Sequence, residues 1–424
     1  MQRRQIVKGG AAVSVLGLLG ACASTGGGSG PRVVVVGGGY GGATAAKYIR
    51  MWSDGQINVT LVEPNAAFVS CPISNLVLGG SKTMADITTP YDNLSRRHGV
   101  RVVRDMVTVI DPDKRTVRLA GGGELAYDRL IVSPGVDFIW DSLPGMAKPG
   151  AQDKVLHAWK AGAQTLALRR QLEAMPDGGV YALAIPLAPY RCPPGPYERA
   201  CQVAHYFSTA KPRSKVLVLD ANDDVTSKGP LFKKAWSDRY KGIVEYRPKH
   251  VLTDVDAAGN TLKFEFNDDV KAAVLNVVPP MRAGDIAVKT GLATANRRWC
   301  EIDFLTHEAK AVKNIHVLGD SIQIAPAMPK SGHMANQHGK TCAAAVVALL
   351  TGGQPNAMPI YNNTCYSFVS DEDVVHVASV HRYDAAQKTM LTVAGSGGVS
   401  AAANELEGKY AMAWARNIWA DTLA

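Results

Sequence analysis

Short apolar runs alternate with helical segments along most of the chain. Such runs, bounded by turn residues, are typical of strands buried in a parallel sheet. The segments between them, such as ATAAKYIRMW and PYERACQVAHYF, predict helices. This alternation predicts an α/β fold with parallel sheets. The predicted strands lie at 32–36, 58–63, 180–185, 215–220 and 314–321.

The first predicted strand leads into a glycine-rich turn. GGGYGG at 37–42 lies between this strand and a helix, and the next strand ends at Glu63. Gly37, Gly39 and Gly42 give the spacing that lets a backbone approach a pyrophosphate at a helix N-terminus, and Glu63 is placed to bind a ribose. The complete unit predicts a dinucleotide site. The alternative is a glycine-rich turn with no ligand.

The corresponding turn in the second half of the chain is rich in proline instead of glycine. The strand VYALAI at 180–185 leads into PLAPYRCPPGP at 186–196, which contains five prolines and Cys192. Proline has no N–H and a fixed φ, so this turn lacks the row of amides that binds a pyrophosphate. We therefore expect no nicotinamide dinucleotide here. We expect the turn to hold Cys192 rigidly.

The N-terminal 30 residues resemble an export signal followed by a linker. Arg3 and Arg4 precede the apolar run 11–19, as in Tat signals, and ACA follows at 21–23. The apolar run is too short to span a bilayer. We predict a periplasmic protein without a transmembrane segment, and LLGAC leaves a lipid anchor at Cys22 open.

Charge and cysteine spacing argue against a nucleic-acid-binding protein and against a protein that attaches its own haem. The net charge is +9, but no Lys/Arg block of the nucleic-acid-binding type is present. The seven cysteines form neither CxxC nor CxxCH, so the chain does not attach its own haem. His333 and His338 match no metal-binding spacing, and we predict no metal site.

Two further segments resemble those of flavoproteins with two dinucleotide folds. YDRLIVSPG at 127–135, ending at Gly135, resembles the segment that returns the chain to the FAD domain. NIHVLGDS at 314–321 resembles the second flavin motif, in which an aspartate, here Asp320, meets the ribityl chain. The resemblance implies that the cofactor is FAD and that an insertion interrupts the FAD domain.

The chain resembles the flavoprotein subunit of flavocytochrome c sulfide dehydrogenase, a family of the glutathione-reductase-like FAD superfamily. The resemblance rests on motifs in the same order, among them SCPISN, HAWKAGAQT, RCPPGPYERA, NVVPPMRAG, MPKSGHMAN and NTCYS. It implies a sulfide dehydrogenase that oxidises hydrosulfide to sulfur or polysulfide. It also implies that the electrons pass through FAD to a separate c-type cytochrome subunit.

The same resemblance implies roles for four residues. Cys71 of SCPISN would bond covalently to the flavin, and Cys192 and Cys365 would form a redox disulfide beside it. Glu198 of PYERA would handle protons. The residues themselves leave alternatives open: a buried core cysteine for Cys71, a static bridge or free thiols for the pair, and helix capping for Glu198.

MPKSG at 328–332 opens a predicted helix. With this helix N-terminus, Lys330 and Ser331 would place positive potential near the flavin, whereas the alternative for Lys330 is an exposed lysine. Three cysteines have no assigned role: Cys201, Cys300 and Cys342. Of these, Cys201 is a rival to Cys365 as the disulfide partner of Cys192.

We predict two Rossmann-like dinucleotide-binding domains, as in glutathione reductase, and a C-terminal α+β domain. Two other functions stay open: a sulfide:quinone oxidoreductase, and a non-catalytic flavin-binding accessory subunit of a sulfur-oxidation complex. The predicted segments are the signal and linker 1–30, the first FAD-domain segment 31–146, the second Rossmann-like domain 147–279, the returning FAD-domain segment 280–352 and the C-terminal interface domain 353–424.

Overall fold

The computed structural model of the protein describes residues 30–424. The predicted export signal and Cys22 lie outside the described residues, and their assignments stay predictions. Within the described range, no helix is both long and apolar enough to cross a membrane.

Residues 30–138 begin with a strand of consecutive valines. In RVVVV the four valines are 0–7% exposed, as expected of a strand at the centre of a parallel sheet. In chain order the elements are β1 (Arg32–Val36), α1 (Tyr40–Trp52), β2 (Asn58–Val62), β3 (Ala67–Val69), α2 (Ser74–Gly79), β4 (Thr88–Pro90), α3 (Asp92–His98), β5 (Arg101–Val103), β6 (Val107–Asp111), β7 (Thr116–Leu119), β8 (Glu124–Ala126), β9 (Arg129–Val132) and β10 (Val136–Phe138).

Residues 151–277 repeat the alternation of buried strands and helices. The predicted strands at 180–185 and 215–220 are present with these bounds. In chain order the elements are α4 (Ala151–Lys154), α5 (Ala163–Ala174), β11 (Val180–Ile185), α6 (Gly195–Ala210), β12 (Lys215–Asp220), α7 (Gly229–Arg239), β13 (Val244–Arg247), β14 (Leu252–Asp256), β15 (Thr261–Phe264), β16 (Val270–Lys271) and β17 (Val274–Val277).

The remaining residues return to the first sheet and then form a C-terminal unit. In chain order the elements are β18 (Met281–Ala283), α8 (Asp285–Lys289), β19 (Ile315–Val317), α9 (Gly332–Thr351), β20 (Ile360–Phe368), β21 (Val374–Asp384), β22 (Thr389–Thr392), β23 (Gly398–Val399) and α10 (Glu405–Leu423).

Two parallel sheets organise these elements. The first has the strand order β19-β9-β1-β2-β5, so β19 joins it from far along the chain. The second has the order β13-β12-β11-β17. Ligands of such sheets bind at the carboxyl ends of the strands, where the two turns described above lie.

Antiparallel strands complete the molecule. β20, β21 and β22 form a C-terminal sheet with β23 at the side of β21, and α10 packs against β21 and α1. Smaller antiparallel sheets are β6-β7-β8, β14-β15-β16, β3-β4 and β10-β18. The predicted fold class, with two Rossmann-like regions and a C-terminal α+β unit, is confirmed. The domain bounds stay predictions.

Candidate active site

The first glycine turn joins β1 to α1 and leaves room for a ligand. Gly37 has φ +95°, and a Cβ at Gly42 would lie 1.9 Å from the carbonyl oxygen of Gly37, so both positions require glycine. A Cβ at Gly39 would meet nothing within 4 Å. No side chain caps α1 at Gly39. This open, uncapped helix N-terminus fits a pyrophosphate.

Glu63 lies next to this turn, directly after β2, and is 7% exposed. Its Oε2 accepts a hydrogen bond from the Gly38 amide at 2.7 Å. Its Oε1 accepts from the backbone and side-chain nitrogens of Asn65 at 2.9 and 2.6 Å. A carboxylate accepts about four hydrogen bonds, so one place remains for a ribose hydroxyl.

Asp320 offers a buried acceptor without a donor. It lies in the 3₁₀ turn Gly319–Ser321 after β19, and its Oδ1 is buried with no hydrogen-bond partner. Burial raises the pKa of Asp320, although Arg191 and Lys330 oppose the shift. An unpaired buried carboxylate oxygen is costly, so this position fits a ligand that carries hydroxyl groups, as the ribityl chain of a flavin does.

Gly135 lies across from this turn, at the end of the segment after β9. Its φ is +68°, and its carbonyl oxygen accepts hydrogen bonds from the Gly284 amide at 3.0 Å and from Ser321 Oγ at 2.5 Å. These bonds tie the predicted return segment to the residue beside Asp320. The two flavin motifs of the sequence are therefore adjacent in space.

Lys330 and Ser331 precede α9. Lys330 is buried, with 2% exposure, so it is not the exposed lysine that the sequence left as an alternative. Its ammonium donates to the carbonyl oxygens of Asp320 and Ile322 at 2.8 and 2.6 Å. Burial lowers the pKa of Lys330 to about 7. Ser331 caps α9, because its Oγ accepts from the Met334 amide at 3.1 Å. The predicted cation therefore lies beside the predicted ribityl-binding aspartate.

Cys192 and Cys365 are neighbours in the structure, although they are far apart in the sequence. The Cys192 amide donates to Lys330 O at 2.9 Å, and the adjacent Ser331 donates to Asn363 Oδ1 at 2.7 Å. Asn363 in turn donates to Cys365 Sγ at 3.5 Å. Burial and the neighbouring Cys365 raise the pKa of Cys192 to about 12. The two sulfurs are not bonded to each other in this structure, and their disulfide stays a prediction.

Glu198 is 8% exposed in the first turn of α6. Its Oε1 accepts from the Phe368 amide at 2.9 Å, and its Oε2 accepts from Asn75 Nδ2 at 2.8 Å. The carboxylate thus binds groups outside α6, which is not the capping arrangement. Burial raises the pKa of Glu198, against the effect of these two donors. A carboxyl with a raised pKa near two sulfurs is suited to proton transfer.

Cys71 lies in the loop between β3 and α2, partly buried. Its Sγ is 3.9 Å from the carbonyl oxygen of Trp159, and the guanidinium of Arg191 donates to the same carbonyl. Since Arg191 directly precedes Cys192, Cys71 and the cysteine pair face one site. The covalent tether to a flavin stays a prediction.

Arg191 and Lys228 also lie at this site, although the sequence did not predict it. Burial lowers the pKa of Arg191, but Cys71, Asp320 and Cys192 outweigh it, because the guanidinium lies among all three. Because Arg191 directly precedes Cys192 in the proline turn, the sequence could have indicated that Arg191 belongs to the site. Lys228, at the start of α7, donates to the carbonyl oxygen of Cys365 on β20 at 2.9 Å. No local sequence pattern predicts this contact, because the two residues are far apart in the chain.

The other three described cysteines, together with His333 and His338, have no assigned role in this cluster. His333 is partly buried and His338 is buried, and burial lowers the pKa of both. Among residues 30–424, no group of three or more potential metal ligands is present. Three cysteines are fully buried, and burial raises the pKa of each: Cys201, Cys300 and Cys342.

Comparison with known proteins gives a consistent assignment. Residues 165–279 match the family model of the sulfide dehydrogenase [flavocytochrome c] flavoprotein chain, central, and residues 357–423 match that of flavocytochrome c sulphide dehydrogenase, flavin-binding. Residues 31–176 match pyridine nucleotide-disulphide oxidoreductases.

Individual relatives agree. The sulfide dehydrogenase [flavocytochrome c] flavoprotein chain of Chlorobaculum thiosulfatiphilum is 67% identical over 46 residues, which are 11% of this chain and 94% of that sequence. The mitochondrial sulfide:quinone oxidoreductase of Mus musculus is 26% identical over 330 residues, 73% of this chain and 69% of the mouse protein.

The solved structure of the sulfide:quinone oxidoreductase from Aquifex aeolicus shares the fold. The TM-score is 0.74 at 17% identity, over 92% of this chain and 91% of that one. The flavin-site geometry, the family matches and the relatives agree. The chain belongs to the family of the flavocytochrome c sulfide dehydrogenase flavoprotein chain, whose members are sulfide-oxidising flavoproteins.

Proposed function

We propose that the protein is a periplasmic sulfide dehydrogenase that oxidises hydrosulfide to sulfur or polysulfide and passes electrons through FAD to a c-type cytochrome subunit. One observation carries the proposal: Cys192, Cys365 and Glu198, from the proline turn, β20 and α6, meet beside the predicted flavin residues. A sulfur pair can take up sulfide, a buried carboxyl can take its proton, and a flavin can take its electrons.

The residues present fit FAD. The glycine turn with Gly39 and α1 would hold the pyrophosphate, Glu63 a ribose, and Asp320 the ribityl chain. Lys330 would add positive potential near the flavin ring, and Cys71 would hold it covalently by a thioether. When bound, the flavin supplies an acceptor that takes two electrons and releases them singly.

The chain itself supplies the sulfur chemistry. With Cys192 and Cys365 joined as a disulfide, hydrosulfide attacks one sulfur and forms a persulfide, and the other sulfur leaves as a thiolate. The prolines around Cys192 restrict the backbone, which keeps the sulfur in line with the attacking atom. Glu198 is placed to accept the proton of the incoming sulfide.

The electron acceptor separates this proposal from a quinone-reducing enzyme, which the mouse and Aquifex relatives favour. We expect a quinone-reducing relative to present an apolar, amphipathic surface near the C-terminus, where this chain has α10. Its Asp421 instead accepts hydrogen bonds from Tyr48 at 2.5 Å and Asn336 at 2.7 Å, and its buried side packs inside the protein. A helix that carries Arg416 and Asp421 is a poor apolar surface for a membrane-facing quinone site, which favours a cytochrome acceptor.

The cysteine pair provides the principal test. Cys192→Ser and Cys365→Ser should each keep bound flavin but lose most sulfide-dependent reduction of cytochrome c. Cys201→Ala, a buried thiol in α6, should keep both and is the matched control. If either serine variant turned over at the wild-type rate, the pair would be structural. Activity with a soluble quinone but not with cytochrome c would favour the quinone-reducing enzyme.

A second test concerns the flavin tether. Acid precipitation of the wild-type protein should leave the yellow colour in the pellet, whereas Cys71→Ala should release it into the supernatant. Cys300→Ala is the control, because it removes another buried thiol. Free FAD in the wild-type supernatant would disprove covalent attachment through Cys71.

A further inference from the structure

Lys228 is a buried lysine that the reaction described above does not use. It is 8% exposed, and its φ of +56° lies in the left-handed region, which costs a residue with a Cβ about 1 kcal/mol or more. It also stands at the N-terminus of α7, where the helix dipole disfavours a cation. Three unfavourable features in one residue point to a role that compensates for them.

The ammonium of Lys228 is fixed by the C-terminal sheet. It donates to the carbonyl oxygen of Cys365 at 2.9 Å, to Ser367 Oγ at 2.7 Å and to the carbonyl oxygen of Val375 at 3.3 Å. All three acceptors are neutral, so its hydrogen bonds position the cation without neutralising it. The positive charge is therefore held at the backbone of the reactive cysteine.

Four ionisable groups face this charge. They are Cys365 on β20, Glu198 in α6, Cys192 in the proline turn and Glu407 in α10. Burial lowers the pKa of Lys228 to about 8, although each of these groups raises it. Two of the four are the sulfurs of the predicted disulfide, so the cation is placed to act on their chemistry.

The two sulfurs have different surroundings. Ser331 Oγ accepts from the Met334 amide and donates to Asn363 Oδ1, which leaves the nitrogen of Asn363 to donate to Cys365 Sγ at 3.5 Å. Among residues 30–424, none donates a hydrogen bond to Cys192 Sγ. Arg191 and Lys228 lower the pKa of Cys192, but burial, Cys365 and Glu198 outweigh them. After burial, Lys228 and the hydrogen bond from Asn363 have the largest effects on the pKa of Cys365, and both lower it. Because donors and a nearby cation stabilise a thiolate, negative charge is better accommodated on Cys365.

We propose that Lys228 makes Cys365 the sulfur that leaves and Cys192 the sulfur that carries the persulfide. This inference rests on the proposed function. Hydrosulfide attacks Cys192 Sγ, the bond between Cys192 and Cys365 breaks, and the bonding electron pair leaves on Cys365 as a thiolate. The new sulfur–sulfur bond is on Cys192, and the hydrosulfide proton passes to the Glu198 carboxylate. The disulfide is the two-electron oxidant of this step, so no other oxidant is needed, and a stabilised thiolate leaves faster.

Lys228 acts through Cys365, so it is a positioning residue, and thiol titration measures its effect directly. The holoprotein is reduced with dithiothreitol and alkylated with iodoacetamide over a pH series, and each cysteine peptide is quantified by mass spectrometry. We expect the alkylation midpoint of Cys365 to lie below that of Cys192. Lys228→Met should raise the Cys365 midpoint by about one pH unit, which is about tenfold less thiolate at a given pH below it.

Two variants make this titration specific. Lys228→Arg keeps the charge and should keep the low midpoint of Cys365. Lys234→Met removes an exposed lysine of the same helix, which pairs with Asp238, and should also leave the midpoint unchanged. An unchanged Cys365 midpoint in a Lys228→Met protein with normal flavin content and circular dichroism would overturn the inference.

A second measurement needs no Lys228 variant. The wild-type protein is exposed briefly to hydrosulfide and trapped with monobromobimane, and the added sulfur is located by mass spectrometry. We expect it on the Cys192 peptide, and its location on Cys365 would overturn the inference. The titration does not depend on sulfide turnover. A wild-type protein whose flavin is not reduced by sulfide would therefore refute the proposed function separately.

Discussion

The two parallel sheets end in turns of opposite character. After β1, glycines bring the backbone close to a ligand, and Gly39 faces open space. After β11, prolines replace the glycines, and Cys192 adopts a φ of +59°. α1 has no acidic residue in its first turn, whereas α6 carries Glu198 there. The same strand–turn–helix unit thus fits a cofactor in one region and carries the proposed reactive sulfur in the other.

The acids that end the second strand of each sheet differ in the same way. Glu63 accepts three hydrogen bonds and retains a place for a ligand. Asp220 is fully buried, and both of its oxygens are used: Oδ2 accepts from Tyr197 and Tyr246, and Oδ1 accepts twice from Asn222. A dinucleotide framework can therefore be kept while its acid becomes part of the protein's own packing.

The largest effect is expected from a change in the first turn. Gly42→Ala places a Cβ 1.9 Å from the carbonyl oxygen of Gly37, so the turn must open, and bound flavin should fall by about tenfold or more. Flavin absorbance per mole of purified protein measures this. Gly398→Ala is the control, because a Cβ there meets nothing within 4 Å. Full flavin content in Gly42→Ala would show that the turn does not hold the cofactor.

The next expected difference is between two reductants of the wild-type protein. Because the proline turn lacks the amides for a pyrophosphate and Asp220 has no free acceptor, NADH should leave the flavin oxidised while sulfide bleaches it. Anaerobic absorbance spectra after each addition make the comparison. Rapid bleaching by micromolar NADH would show that the second sheet still binds a dinucleotide.

A smaller effect is expected at the start of α6. Glu198→Gln removes the proposed proton acceptor and should lower sulfide-dependent cytochrome reduction by about 100-fold. Burial raises the pKa of Glu198, so the wild-type rate should rise with pH through that raised value, and the variant should lack the rise. Glu265→Gln, at an exposed position, is the control.

The same substitution has a stability consequence with a defined sign. A carboxyl whose folded pKa is raised contributes its stability below the unfolded pKa and loses it as pH rises through the folded value. Between the ordinary carboxyl pKa of the unfolded chain and the raised pKa of folded Glu198, the wild-type protein should therefore lose unfolding free energy relative to Glu198→Gln. If the difference in unfolding free energy between the two proteins were the same at every pH, the pKa of Glu198 would not be raised in the folded protein.

The smallest effect concerns the acid of the second sheet. Tyr246→Phe removes a hydrogen bond of 3.0 Å to the buried Asp220, which should cost about 1–2 kcal/mol of unfolding free energy. Flavin content should not change. Urea denaturation measures the effect, with the exposed Tyr410→Phe as control. An unchanged unfolding free energy would mean that Asp220 does not depend on this donor.

Local sequence signals predicted the strands and turns well. β11 and β12 have the predicted bounds, and Glu198 lies in the first turn of its helix, because these features depend on neighbouring residues. The antiparallel strands β6 to β8 and β14 to β16 were not predicted, since they are short and only partly buried. The contacts of Lys228 with β20 could not be predicted, because they join segments that only the folded chain brings together.

The late arrival of β19 has a consequence for biosynthesis. The turn at Gly37 and the acid Glu63 are made early, but Asp320 and Lys330 follow only after the whole second sheet has been synthesised. Chains fold from the N-terminus by domains as they emerge from the ribosome. A nascent chain thus holds only part of the flavin site until residue 330 has been made, and we expect cofactor loading to follow the synthesis of that segment.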